Sequence, residues 1–333
     1  MAAKRSTVED RMYQFKHACD ELTGDDLLEA VQKALADKSN LVVEMAAKAV
    51  VGLEPGDCRE ELLAAYQRFL HDPAKPGKDC TDKNCRAKVP LVEALNKQAF
   101  DDPEFYLAGM KYVQMEPAYG APDGYEDTAP HVRGACAYGL IKVPLASQNE
   151  LLFALVDLLH DSTYIAREHA ARAIGSTGLM AAAPVLRMKV LSGDARSEVI
   201  GACLGGLMSF RDSKSLEFVS QFLKNDNLDL AIEAGLVLGE SRQELAVTLL
   251  IEAAKELHPD VRHSLLMSIG ISRLPIAVDY LVGLIESGDT DSEIAIQALA
   301  PVRFDEAVRD RIQEAVNGTG SRELARIYRE HFV

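Results

Sequence analysis

One recurring line constrains this chain's fold more than any other feature: an acidic residue, five intervening residues, an arginine, then an alanine-rich stretch closed by Leu or Ile and Gly. Asp161, Arg167 and Gly175 frame the clearest copy, and related lines occupy 131–141, 197–208, 228–239, 259–270 and 291–300. Gly175 and Gly239 lie 64 residues apart and Gly239 and Gly270 lie 31 apart, so the period is close to 32. A period of that length is one helix pair, and a helix pair cannot bury its apolar face without a neighbour. At 333 residues the chain also exceeds what one compact core accommodates, which favours an array that grows lengthwise.

Each alanine-rich segment is preceded by a second amphipathic one, at 150–160, 183–193, 215–225, 244–257 and 277–287. Their apolar residues fall at helical spacing, as in Leu151, Leu155, Leu158 and Leu159. Ser147, Ser241 and Thr290, each followed three residues later by Glu, predict capping boxes. Pro103, Pro259 and Pro275 stand where a first helical turn tolerates a missing N–H. The N-terminal half carries the same pairs less regularly, at 26–40, 41–53, 59–70, 85–95 and 103–114. Two segments rich in Pro, Gly and Asp, 71–84 and 116–130, interrupt the pattern and read as loops. The expected organisation is an N-terminal capping helix over 1–24 and a solenoid over 25–333.

The lines at 161–175 and 259–270 resemble the HEAT-like repeats of the phycobilisome-lyase type, and the resemblance extends over roughly residues 25–333. The segment from Cys85 to Leu140 is also similar to a bacterial HEAT-repeat group. The fold class so implied is all-α: a right-handed α-solenoid of stacked helix pairs. Tetratricopeptide and ankyrin signatures are absent.

Composition agrees with close helix packing. Hydrophobic residues make up 48% of the chain but aromatics only 6%, with no Trp, so burial falls to small aliphatic side chains. In the alanine-rich helix, Ala and Gly let neighbouring backbones approach. A net charge of −15 repels phosphate backbones and anionic lipid, so neither nucleic acid nor membrane is an expected partner. No apolar run approaches membrane-spanning length and the first twenty residues lack a signal-type apolar region, so the expected location is cytoplasmic. The six cysteines are scattered, and Cys136 and Cys203 lie among small apolar residues, so free thiols are expected.

Chemical motifs are few. The HEAT-like deoxyhypusine hydroxylases hold iron on paired His-Glu dipeptides, whereas this chain has only the reversed strings Glu168-His169 and Glu330-His331. The HEAT-like DNA glycosylases use a basic aromatic groove, which an acidic chain without Trp does not offer. Cys80 and Cys85, with Cys58 and His71 nearby in sequence, match no zinc spacing and read as incidental thiols in a loop. His169 and His263 read as solvated or packed helix residues. No catalytic residue, metal or cofactor is expected.

The functional expectation is therefore a non-catalytic protein-interaction scaffold. The alternative, implied by the repeat type, is a phycobilin lyase-like or other small-molecule-handling protein. Asp161 is expected to pair with Arg167 and brace the next repeat, with Arg133 and Arg262 as its equivalents. Aligned on the closing Gly, the alanine-rich helices present a row that includes Tyr138, Arg172, Leu236 and Met267, expected on the concave side. With Tyr119 and Tyr125 from the loop 116–130, this row is the expected surface for a protein partner.

Overall fold

A computed structural model describes residues 6–54, 56–70, 80–121, 123–145, 147–256 and 259–332. By spatial contacts the chain divides into two compact units, residues 1–173 and 174–333. Both are stacks of antiparallel helix pairs, so the all-α repeat architecture read from the periodicity is the observed one.

In the first unit the pairs are α2 (Gly24–Leu35) with α3 (Asn40–Ala49), α4 (Arg59–Phe69) with α5 (Lys88–Lys97), and α6 (Pro103–Gly109) with α7 (Pro130–Leu140). The inner helices α3, α5 and α7 pack in series, and α1 (Val8–Glu21) lies against α2 and α3. Helix α8 (Gln148–Leu159) follows, and α9 (Tyr164–Ser176) spans the division between units. Small residues dominate α7: Gly134, Ala135, Cys136, Ala137 and Gly139 are all buried.

The second unit is more regular. Outer helices α10 (Ala183–Ser192), α12 (Ser213–Ser220), α14 (Glu244–Glu256), α16 (Pro275–Glu286) and α18 (Glu306–Thr319) alternate with inner helices α11 (Ser197–Ser209), α13 (Leu228–Glu240), α15 (Pro259–Ser272), α17 (Ser292–Ala298) and α19 (Arg322–Phe332). The inner helices stack in sequence, and their closing glycines are the points of nearest approach. A Cβ on Gly239 would lie 2.8 Å from the carbonyl carbon of Ser268, and one on Gly270 would lie 2.7 Å from that of Ala298. The repeated Gly is thus required by backbone contact with the next repeat, one period later.

Three sequence expectations need correction. The segment 116–130 is not all loop, because β1 (Met115–Pro117) and β2 (Tyr125–Asp127) pair antiparallel in the register Met115↔Asp127, Glu116↔Glu126 and Pro117↔Tyr125. Ser147 does cap α8, accepting from the Glu150 N–H at 3.2 Å, but Ser241 accepts from the Gln243 N–H at 3.4 Å rather than from Glu244. Its hydroxyl donates back to the Leu238 carbonyl at 2.7 Å and so closes α13. Ser272 closes α15 in the same way, through Ile269, and each is followed by an arginine at positive φ, Arg242 and Arg273. A serine hydroxyl can satisfy the carbonyls ending one helix as well as the amides beginning another. Thr290 likewise lies outside the cap of α17, whose preceding turn is organised by Asp289, the acceptor for the Asp291 N–H at 2.9 Å. Residues 71–79 of the first interruption, including His71, lie outside the described residues. No helix among the described residues is long and apolar enough to cross a membrane.

Candidate functional site

The first unit concentrates its chemistry around α5, α7 and the hairpin. Lys88, in the first turn of α5, is fully buried, and its Nζ donates to Asp82 Oδ2 and to the Phe69 carbonyl, both at 2.9 Å. Asp82, also fully buried, accepts in addition from the Ala87 and Lys88 amides and from Asn40 Nδ2. A buried pair is tolerated only when further hydrogen bonds offset the hydration it gives up, as those to Asp82 and from Lys88 do here. Gln114 then links this pair to the hairpin, donating to the Asp82 carbonyl at 2.8 Å and to Glu116 Oε1 at 2.6 Å. The same Glu116 oxygen accepts from the Asn84 amide and from Thr128 Oγ1, at 2.6 and 2.7 Å.

Arg133 extends this network from α7. It is almost wholly buried, and its guanidinium reaches Asp127 at the end of β2 (2.7 Å), the Tyr112 carbonyl (2.9 Å), Asp161 (2.9 Å) and Thr163 (3.0 Å). The Asp161 carboxylate therefore receives an arginine from one repeat earlier, while Arg167 donates to the main-chain carbonyls of Asp161 and Ser162. Arg262 follows the rule shown by Arg133, reaching Asp289 and Asp291 in the next repeat. Spacing alone could not reveal that the aspartates of these two lines pair backwards.

In the same unit, α5, α7 and α9 line an open cavity of about 380 Å³. Val89, Glu93, Asn96 and Lys97 come from α5, and His131, Ala135, Tyr138 and Lys142 from α7 and the turn after it. Helix α9 contributes His169, whose Nε2 lies 3.1 Å from His131 Nδ1 and whose ring meets Tyr138 edge-on with centroids 5.9 Å apart. The small residues of α7 create this arrangement, since a Cβ on Gly134 would fall 2.7 Å from His169 Cβ. Burial, reinforced by His131, holds the His169 pKa below its ordinary value, so the imidazole is neutral at pH 7. Burial also raises the Tyr138 phenol, which keeps it a hydrogen-bond donor. Asn96 Nδ2 donates to the Ala135 carbonyl at 2.8 Å and fixes α5 to α7 at the cavity's edge.

The expected partner residues are distributed as follows. Tyr119 is fully exposed at the hairpin turn and Tyr125 is exposed on β2, whereas Tyr138 is half-buried in the cavity wall. Arg172 is exposed and pairs with Glu168 at 3.0 Å. In the second unit, Met267 is exposed on α15 and Leu236 half-buried on α13. The cavity residues His131, Lys97 and Lys142 were missed by sequence reasoning. A spacing of i, i+4, i+7 and i+11 for His131, Ala135, Tyr138 and Lys142 was the available signal, since it places them on one helix face. The cysteines are all free thiols, and among the described residues no group of three or more His, Cys, Asp or Glu is gathered in metal-binding geometry.

No protein-family model and no curated protein matches this chain. Among solved structures it is similar to human deoxyhypusine hydroxylase in complex with glycerol, at 16% identity over 91% of this chain and 96% of that one, with a TM-score of 0.31. It is also similar to the CpcE and CpcF complex of phycocyanin lyase from Nostoc sp., at 16% identity over 74% and 98% of the chains and a TM-score of 0.37. A third likeness is to an engineered protein, at 15% identity over 96% and 91% with a TM-score of 0.35. Likeness at this level assigns neither substrate nor partner to the chain.

Proposed function

We propose that this chain is a non-catalytic protein-binding scaffold that presents the β1–β2 hairpin to a partner. The observation that carries the reading is the contrast between the two ends of that hairpin. Its tip exposes Tyr119 and Tyr125, while its base is held by Glu116 and Asp127 in a buried network of Lys88, Gln114 and Arg133. Exposed tyrosines on a rigid element suit a binding hot spot, because little conformational freedom is lost on association. In this reading Asp161, Arg133, Arg167 and Arg262 are structural braces between repeats. Tyr138 and Arg172 extend the contact surface within the first unit, and Leu236 and Met267 offer a contact row in the second.

The test is affinity capture from the native cell with the wild-type chain and with a Tyr119→Ser/Tyr125→Ser variant, followed by mass spectrometry. A protein held by the wild type and lost from the variant, at unchanged helical spectrum and melting curve, is the expected result. Equal recovery by both forms would sink the hairpin reading. A second reading, a small-molecule-handling protein, is favoured by one specific observation: the cavity of about 380 Å³ between α5, α7 and α9, which falls within the size range of ligand pockets.

A further inference from the structure

The cavity walls carry a charge pattern opposite to the net charge of the chain. The chain as a whole has 51 acidic and 36 basic residues, yet Lys97, Lys142, His131 and His169 line this cavity against one carboxylate, Glu93. Several lysines elsewhere hold carboxylates: Lys48 holds Glu44, Lys189 holds Asp194 and Lys224 holds Glu256, at 2.6 to 2.8 Å. Among the described residues, no carboxylate lies within ion-pair distance of Lys97 or Lys142. Lys142 Nζ is instead turned toward the Asn96 carbonyl, 3.5 Å away at the cavity's edge.

The deeper wall is different in kind. Ala135 and Val89 are apolar, and Tyr138 and His169 present rings at 89° to one another. A flat ring fits such a corner by edge and face contacts, whereas the rim supplies ammonium and imidazole donors. Cation donors at the mouth and apolar surface below suit a molecule with an anionic head and a compact unsaturated body.

We infer that the cavity between α5, α7 and α9 binds a small aromatic carboxylate, with its carboxylate held by Lys97 and Lys142 at the rim and its ring against Tyr138 and His169. This inference deepens the small-molecule reading and is independent of partner docking at the hairpin. His131, exposed on α7, completes the rim beside the deeper His169, and the nearby Glu168 carboxylate is paired with Arg172.

The test titrates the full chain with benzoate and, separately, with benzyl alcohol, following the imidazole proton resonances of His131 and His169. Benzoate is expected to shift both resonances saturably, and benzyl alcohol to bind about tenfold more weakly, the difference expected for losing a charge-assisted contact. The Lys97→Met/Lys142→Met variant, altered only at exposed positions, should lose that preference while retaining the wild-type melting temperature. Equal binding of the two probes to the wild type would overturn the carboxylate assignment and leave the small-molecule reading standing. No saturable shift with either probe would overturn both, and benzoate binding undiminished in the lysine variant would overturn the assignment of the rim.

Discussion

Gly239→Ala isolates the contact on which the repeat stacking depends. The added methyl gains helix propensity worth at most about 1 kcal/mol. Against that gain, its Cβ would lie 2.8 Å from the Ser268 carbonyl carbon and 3.3 Å from Ser268 Cα, with the carbonyl oxygen nearer still. The obstacle is backbone in a neighbouring helix, so no side chain can rotate away and α13 and α15 must part. Overpacking of this kind costs about 1–3 kcal/mol, and a gap of about 0.5–1 Å forfeits a quarter to a half of each lost dispersion contact. With rigid main chain on both sides the upper half of that range applies, leaving a net loss of about 1–2 kcal/mol after the propensity gain. Gly283 is the matched control. It too lies in the last turn of a helix, α16, but a Cβ there meets nothing within 4 Å. Gly283→Ala should therefore stabilise by about 0.4–1 kcal/mol through the unfolded chain. Urea unfolding followed by circular dichroism measures both variants. Opposite signs are expected, and a Gly239→Ala protein as stable as the wild type would refute the argument that backbone contact imposes this glycine.

Further predictions follow from burial and charge. Replacing Arg133 with Met strands the carboxylates of Asp127 and Asp161, and should cost about 3–5 kcal/mol and make the hairpin the first site of limited proteolysis. The exposed Arg311 pair with Asp279 offers a comparison, and Arg311→Met should change stability little. For the thiols, burial pushes Cys58 to about 11 and Cys85 and Cys203 to about 12, and raises Cys136 as well. A disulfide reagent at pH 8 should therefore modify only the partly exposed Cys19 and Cys80 in native protein and all six after denaturation; rapid native reaction of four or more would contradict the packing. His169 gives a pH signature. Its folded pKa lies below the ordinary 6.5, so the unfolded chain takes up the proton first. Stability from this group is full above that value and declines as pH falls from 6.5 through the lowered folded pKa. His169→Gln should flatten that step, and an unchanged pH dependence would show that the imidazole is solvated.

Much of the architecture was legible because helix formation and stacking are written in short-range patterns. The spacing of Leu151, Leu155 and Leu158 places a helix, and the recurrence of Gly175, Gly239 and Gly270 places the contacts between repeats. Both depend on residues within a turn or one period of each other. Ser241 shows where such reasoning fails, since the hydroxyl that fits a capping box also fits the end of the preceding helix. Only the position of α13 decides between them.

The candidate sites belong to tertiary structure for a related reason. Glu116 meets Asn84 across 32 residues, Arg133 meets Asp161 across 28, and His131 meets His169 across 38. None of these pairs has a local signature, because each residue taken alone suits a solvated surface. The sequence by itself determined that the chain is a stack of helix pairs and which faces are apolar, since those follow from periodicity and side-chain size. Packing alone decided which charged and aromatic side chains share a buried network or a cavity, because the stability of such groups depends on partners supplied by other repeats.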